Sequence, residues 1–220
     1  RAMLNFLALL GWSLDDKTEI ISRDELFKNF AIERVSQTAA IFNKEKLDWM
    51  NGVYIRALSL DGFTARALPF LDKGLPPEVK RPLDEAYVKK VMALVQERAK
   101  TLVEAASQEL SWFFFTEDID YPAELLLDKK LDKAQSINML EIAAVKLDAL
   151  ARFDAETLEG LLRPLAAELG LKAGQLFGAL RTAVSGLTAT PPLFQMMEVL
   201  GQHCCIKRIN RAIAKLRGTP

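Results

Sequence analysis

The chain has 220 residues, 50% of them hydrophobic and 26% charged, the composition of a globular protein large enough to bury a core. Its 29 basic and 29 acidic residues give a formal net charge of zero, so no molecule-wide field recruits a polyanion and any nucleic-acid surface has to be a local patch. No apolar run approaches the ~20 residues needed to span a bilayer, and the two cysteines, Cys204 and Cys205, are adjacent and staple nothing distant, which fits a cytoplasmic protein without a membrane partner.

The first stretch, "RAMLNFLALLGWS", looks superficially like a signal sequence, but Gly11-Trp12 follows the apolar run and no small-residue cleavage site is evident. It reads as a helix whose face another helix must cover. Ser22 and Glu25 have the capping-box spacing ahead of Leu26 and Phe27. Asn43 caps a short helix over 44–50, and Asn51-Gly52 ends it in a left-handed turn. Trp49 and Tyr54 are expected in the core. Ser59 caps a helix running toward Pro69, and the proline-rich segment "KGLPPEVKRP" breaks the pattern. Val88, Val91 and Val95 then fall on one helical face. Thr101 and Glu104 repeat the capping spacing, which puts Arg98 at a junction between helices.

"FFTEDIDYP" interrupts the helices and divides the chain at residue 115. Further helices are expected over 134–151, 154–169 and 172–184, the second kinked or divided at Pro164. Gly170 and Gly186 are stops. Thr190 caps the next helix with Pro191 in its first turn, and Gly201 closes it. No segment alternates like a strand. The expected class is all-α, two consecutive helical bundles over 1–115 and 116–220.

Catalytic chemistry is poorly represented. His203 is the only histidine, and on a helix His203, Cys204 and Cys205 splay apart by about 100° per residue, so no metal site is expected. There is no glycine-rich phosphate loop, and Asp15-Asp16 and Glu117-Asp118 are sequence neighbours that fit loops or caps. No catalytic residue is assigned. The last helix stands out: Ile206, Ile209, Ile213 and Leu216 make an apolar seam, and Lys207, Arg208, Arg211, Lys215 and Arg217 occupy the remaining faces. Phosphate contact and a plain solvated helix end, favoured by the helix dipole, both account for it.

"FNKEKLDWMNGVYIR", residues 42–56, resembles the Phe-x-x-x-Lys-Leu-x-Trp-Met/Leu-Asn-x-x-Tyr-Ile-Arg signature of bacterial-type glutamyl-tRNA synthetases. "LNFLALLGWS" and "FAIERVSQTAAIF" are similar to the segments preceding it in that family, and "FTED", "GQLFGALRTAVSG" and "TPPLFQMMEVLG" to its C-terminal anticodon-binding domain, all in order. The resemblance covers nearly the whole chain. It implies the C-terminal half of a synthetase that ligates glutamate to its tRNA with ATP. The family's two catalytic motifs, His-Ile-Gly-His-like and Lys-Met-Ser-Lys-like, do not occur here. ATP and magnesium are therefore expected in a catalytic domain outside this chain, and no cofactor within it.

The same resemblance implies residue roles. The first bundle meets the stem of tRNA(Glu) and the second grips the anticodon loop, in a monomer. Arg98 in "RAKTL" stands where the family's arginine reads the third anticodon base, and Arg181 in "LRTAV" where another contacts the loop. Thr190, Pro191, Leu193 and Phe194 match the segment around the first base, with Pro192 where glycine is common. Lys46, Arg56, Lys207, Arg208, Arg211 and Lys215 are the expected backbone-phosphate contacts. With about three to five phosphates neutralised, log affinity should fall with log salt at a slope of about −2 to −4. Two other readings stand beside this one: a complete helical enzyme of unknown chemistry, and a scaffold whose basic last helix docks an acidic protein.

Overall fold

Helix starts fall where a side chain offers an oxygen to unpaired backbone N–H groups. In the computed structural model, which describes residues 1–36, 41–128 and 130–218, α1 spans Ala2–Leu9 and α2 spans Arg23–Asn29. Ser22 and Glu25 form a reciprocal capping box at the start of α2. Residues 37–40 of the "FAIERVSQTAAIF" segment lie outside the described residues. Asn43 caps α3 (Lys44–Arg56), Ser59 caps α4 (Leu60–Gly74), Asp84 caps α5 (Glu85–Val95) and Thr101 caps α6 (Leu102–Ala105). A π-helical turn over Gln108–Trp112 leads into the short α7 (Phe113–Phe115). After an extended strap through Tyr121 come α8 (Lys133–Asp148), α9 (Ala155–Glu168), α10 (Ala173–Ser185), α11 (Leu193–Leu200) and α12 (Gln202–Gly218). The described residues contain no β-strand. The fold is all-helical.

Three expected boundaries are corrected. Asn51-Gly52 does not end α3, which continues to Arg56. Gly52 is buried there because the backbone of Ala99 passes close by, and the Asn51 amide donates to the Lys100 carbonyl. Pro164 lies inside a continuous α9, as Pro69 does inside α4. Thr190 does not cap α11, which begins after Pro192. The glycine stops are as expected: Gly170, Gly186 and Gly201 have φ of 68°, 76° and 81°.

One hydrophobic cluster runs from Ile55 to Leu216 and passes through residue 115 without a break, with Phe113 and Phe114 on one side and Tyr121 and Leu126 on the other. Val88, Val91 and Val95 point into it and are fully buried. Within it α4 packs on α5 and α6, α8 lies along α12, and α11 bridges α5 and α9. Two smaller clusters, Ala2–Phe6–Met50 and Trp12–Ile21–Leu26, hold the N-terminal part together. Met50 and Ile55 are the side chains that α3 turns toward its neighbours, which leaves Trp49 45% exposed instead of in the core. Tyr54 is half-buried, and its hydroxyl donates toward the Ile21 carbonyl at 2.8 Å and Asn5 Oδ1 at 3.0 Å.

Candidate nucleic-acid interface

Arg98 sits on the turn between α5 and α6, exposed to solvent. The turn is held from beneath. Buried Gln96 donates from Nε2 to the carbonyls of Ile55 and Leu58, each at 2.9 Å, and Asn51 reaches Lys100. Behind it, α11 packs against both α5 and α10.

Arg181, on α10, is half-buried. Its Nε donates to Thr190 Oγ1 at 3.0 Å, while the Thr190 hydroxyl donates to the Pro191 carbonyl at 2.9 Å. Spending its proton on Pro191 leaves the threonine oxygen as an acceptor, which fixes how the guanidinium is presented. Burial lowers the Arg181 pKa, and the Arg98 charge lowers it further. Among the described residues no carboxylate lies within ion-pair distance of either, and no protein acceptor takes the terminal nitrogens of Arg181.

Thr190, Leu193 and Phe194 are 5%, 5% and 8% exposed, and Pro191 is buried too, so this segment offers an edge and a backbone while its side chains brace it. Phe194 meets Phe177 edge to face at 5.2 Å, and the Arg163 guanidinium lies 5.7 Å from the Phe177 ring centre. Phe177 and Arg181 are one helical turn apart on the same face of α10. Neither Phe177 nor Arg163 was singled out from the sequence. The four-residue spacing in "FGALR" was the available signal.

The expected phosphate contacts fare differently. Lys46 is paired with Glu19 at 2.5 Å, and Arg56 is exposed at the end of α3. Arg208 is 2% exposed, which takes it off any surface that RNA could touch. Its Nη2 donates to the Phe113 and Thr116 carbonyls at 2.7 and 2.6 Å, and its Nη1 donates to the Val184 carbonyl. Lys207 pairs with Glu117 at 3.3 Å, Arg211 with Asp118, and Lys215 with Asp120 at 2.8 Å. Arg217 pairs with Glu141. The basic face of α12 is thus occupied by the strap, whose acidic residues lie about 90 positions upstream. Local charge counting could not see that pairing.

Among the described residues no cluster of His, Cys, Asp or Glu is placed to hold a metal ion, and no helix is long and apolar enough to cross a membrane. His203 is exposed. Cys205 is buried with its thiol 3.6 Å from the Met197 carbonyl, and burial pushes its pKa up.

Comparison with known proteins bears on the same surface. The glutamate–tRNA ligase of Dehalococcoides mccartyi (strain CBDB1) is 55% identical over 218 residues, which is 99% of this chain and 44% of that protein. The glutamate–tRNA ligase of Roseiflexus castenholzii is 43% identical over 98% of this chain and 42% of its own length. A crystal structure of a glutamate tRNA ligase from Elizabethkingia meningosepticum, in complex with its amino acid, aligns with a TM-score of 0.78 at 29% identity, covering 98% of this chain and 41% of that one. The chain therefore spans less than half the length of the relatives it matches. Residues 1–49 match the catalytic-domain model of class I tRNA synthetases (E and Q). Residues 62–213 match the anticodon binding domain model, and the chain belongs to that family.

Proposed function

We propose that this chain is the tRNA-recognition part of a glutamate–tRNA ligase, and that Arg98, Arg181 and the entry to α11 read the anticodon loop of tRNA(Glu). The observation that carries this reading is an exposed Arg98 and a half-buried Arg181, each without a carboxylate within ion-pair distance among the described residues, with the Arg98 charge near enough to lower the Arg181 pKa. Like charges placed together cost energy, and a ligand rich in acceptors offsets it. An unpaired loop base offers acceptors on its exposed edge, and phosphates lie alongside. The half-buried Phe177 ring and the Arg163 guanidinium beside it supply flat surface for a neighbouring base. Ligation itself, with ATP and magnesium, is assigned to the class I catalytic domain, whose model this chain matches only over residues 1–49. The protein acts in the cytoplasm as a monomer.

The test is fluorescence anisotropy with a labelled tRNA(Glu) anticodon stem-loop, competed by the same loop unlabelled, by a stem-loop of unrelated sequence and by an acidic peptide. Binding displaced only by the cognate loop is the expected result. Equal displacement by the acidic peptide would overturn it in favour of a protein-docking scaffold. The scaffold reading is already less favoured, because an acidic partner on α12 would first have to evict the strap.

A further inference from the structure

Arg208 is a cation buried without a counter-charge. It is 2% exposed, and among the described residues no carboxylate pairs with it. Stripping a guanidinium of water is costly, and three backbone carbonyls offset part of that by taking its terminal nitrogens, while its buried Nε has no partner among the described residues. Those carbonyls belong to two separate elements. Val184 lies in the last turn of α10, where carbonyls have no partner within the helix. Phe113 opens the short α7, and Thr116 follows its last residue at the start of the strap. One planar fork therefore joins two chain ends that no covalent connection holds near each other.

Each of those ends leads to an arginine of the candidate site. Arg181 stands one turn before Val184 on α10. On the other side, the Tyr87 hydroxyl of α5 donates to the Phe114 carbonyl at 2.8 Å, and its ring meets Phe115 edge to face at 5.7 Å. That ties α7 to α5, the helix whose C-terminal turn carries Arg98. The strap is pressed onto α10 as well. Tyr121 packs against Gly186, where an added Cβ would come within 3.0 Å of its ring, and the Lys215 ammonium lies 4.7 Å from the ring centre.

We propose that Arg208 is a positioning residue for anticodon reading: its guanidinium sets the spacing between Arg98 and Arg181 without touching RNA. The inference rests on the reading that those two arginines contact the anticodon loop. Lysine keeps the charge at this position but has a single nitrogen, which cannot reach carbonyls on both elements in one plane. Methionine fills similar volume with no donor and leaves three carbonyls unpaired.

The experiment uses the whole chain as Arg208→Lys, Arg208→Met and Tyr87→Phe. It measures affinity for two anticodon stem-loops differing only in the third anticodon base, the salt dependence of binding, and thermal unfolding. For Arg208→Lys the preference between the loops should fall about tenfold, the size of one misplaced bidentate contact, at an unchanged salt slope. Tyr87→Phe removes only the α5–α7 hydrogen bond and should shift the preference the same way by a smaller factor. It also stands as the deciding variant if Arg208→Met does not fold. A salt slope reduced by about one unit in Arg208→Met would show a phosphate contact and overturn the positioning role. So would a folded Arg208→Lys and a folded Tyr87→Phe that both keep the wild-type preference. A wild-type chain that binds neither loop would sink the anticodon reading itself, a different result from either of these.

Discussion

A guanidinium donates hydrogen bonds and accepts none, and on the proposed anticodon reading that asymmetry is how Arg98 would choose a base. Glutamate and glutamine anticodons differ at the third base, cytosine against guanine. Cytosine presents acceptors at O2 and N3 on its pairing edge, while guanine presents N–H donors at N1 and N2, so donors would face donors. Arg98→Gln, able to donate and accept, is expected to reduce discrimination between the two loops by about 1–3 kcal/mol, read from paired dissociation constants. A wild-type chain that binds both loops equally would remove Arg98 from that role. Thr190 tests the second arginine. Thr190→Val keeps the shape and removes the acceptor for Arg181 Nε, so loop affinity should weaken by about 1 kcal/mol with little change in melting temperature. Of the candidate-site residues, Arg98 and Arg181 are singled out by resemblance alone. The buried state of Leu193 and Phe194, and the part played by Phe177, depend on packing between α10 and α11 that spacing along one chain does not contain.

Helix starts were legible at the element scale because capping is local: Ser22, Asn43, Ser59 and Thr101 each bind a backbone N–H within three residues. Asn51-Gly52 misled for the complementary reason. Its turn chemistry is a local preference, and contact with the α5–α6 turn overrides it. Two glycine substitutions expose the difference. At Gly52 an added Cβ is tight only against the flexible tip of Arg56, at 3.1 Å, with the Ala99 carbonyl in ordinary contact at 3.7 Å, so Gly52→Ala should stabilise the fold by about 0.5–1 kcal/mol through helix propensity. At Gly186, with φ of +76°, the same change forces a left-handed alanine and brings its Cβ to 3.0 Å from the Tyr121 ring. Gly186→Ala should cost at least about 1–2 kcal/mol. Melting temperatures should move in opposite directions, by about 2–4 °C per kcal/mol in a chain of this size. A destabilised Gly52→Ala would restore the turn. The strap is the element that acid should loosen. The Lys215 hydrogen bond, with its charge, lowers the Asp120 pKa below the ordinary 3.8. A carboxylate depressed by folding stabilises the folded state above its unfolded pKa and loses that contribution as pH falls through the folded one. Asp120→Asn should therefore remove a small contribution at neutral pH and flatten the acid-side loss of stability below pH 3.8.

Formal neutrality at the scale of the whole molecule hides an internal division of charge. The cations of α12 look in sequence like a phosphate-binding stripe, yet Lys207, Arg211 and Lys215 engage Glu117, Asp118 and Asp120 of the strap, and Arg208 is interior. An RNA ligand cannot release counterions from cations that the protein itself has neutralised. The wild-type salt slope should then be shallower than about −2, carried by exposed cations such as Arg98, and not the −2 to −4 that a free stripe would give. The three acidic side chains are 86%, 78% and 100% exposed, so their pairs add little to stability and can be removed in a folded protein. A triple variant, Glu117→Gln, Asp118→Asn and Asp120→Asn, releases the stripe while leaving Arg98 and Arg181 in place. It should bind both the cytosine and the guanine stem-loops more tightly, with a salt slope steeper by about 2, because unpaired cations attract phosphate whatever the base. The ratio of the two affinities should stay at its wild-type value. A ratio that falls as the slope steepens would mean that the strap takes part in reading the base. An unchanged slope would mean that the strap does not hold these cations away from RNA.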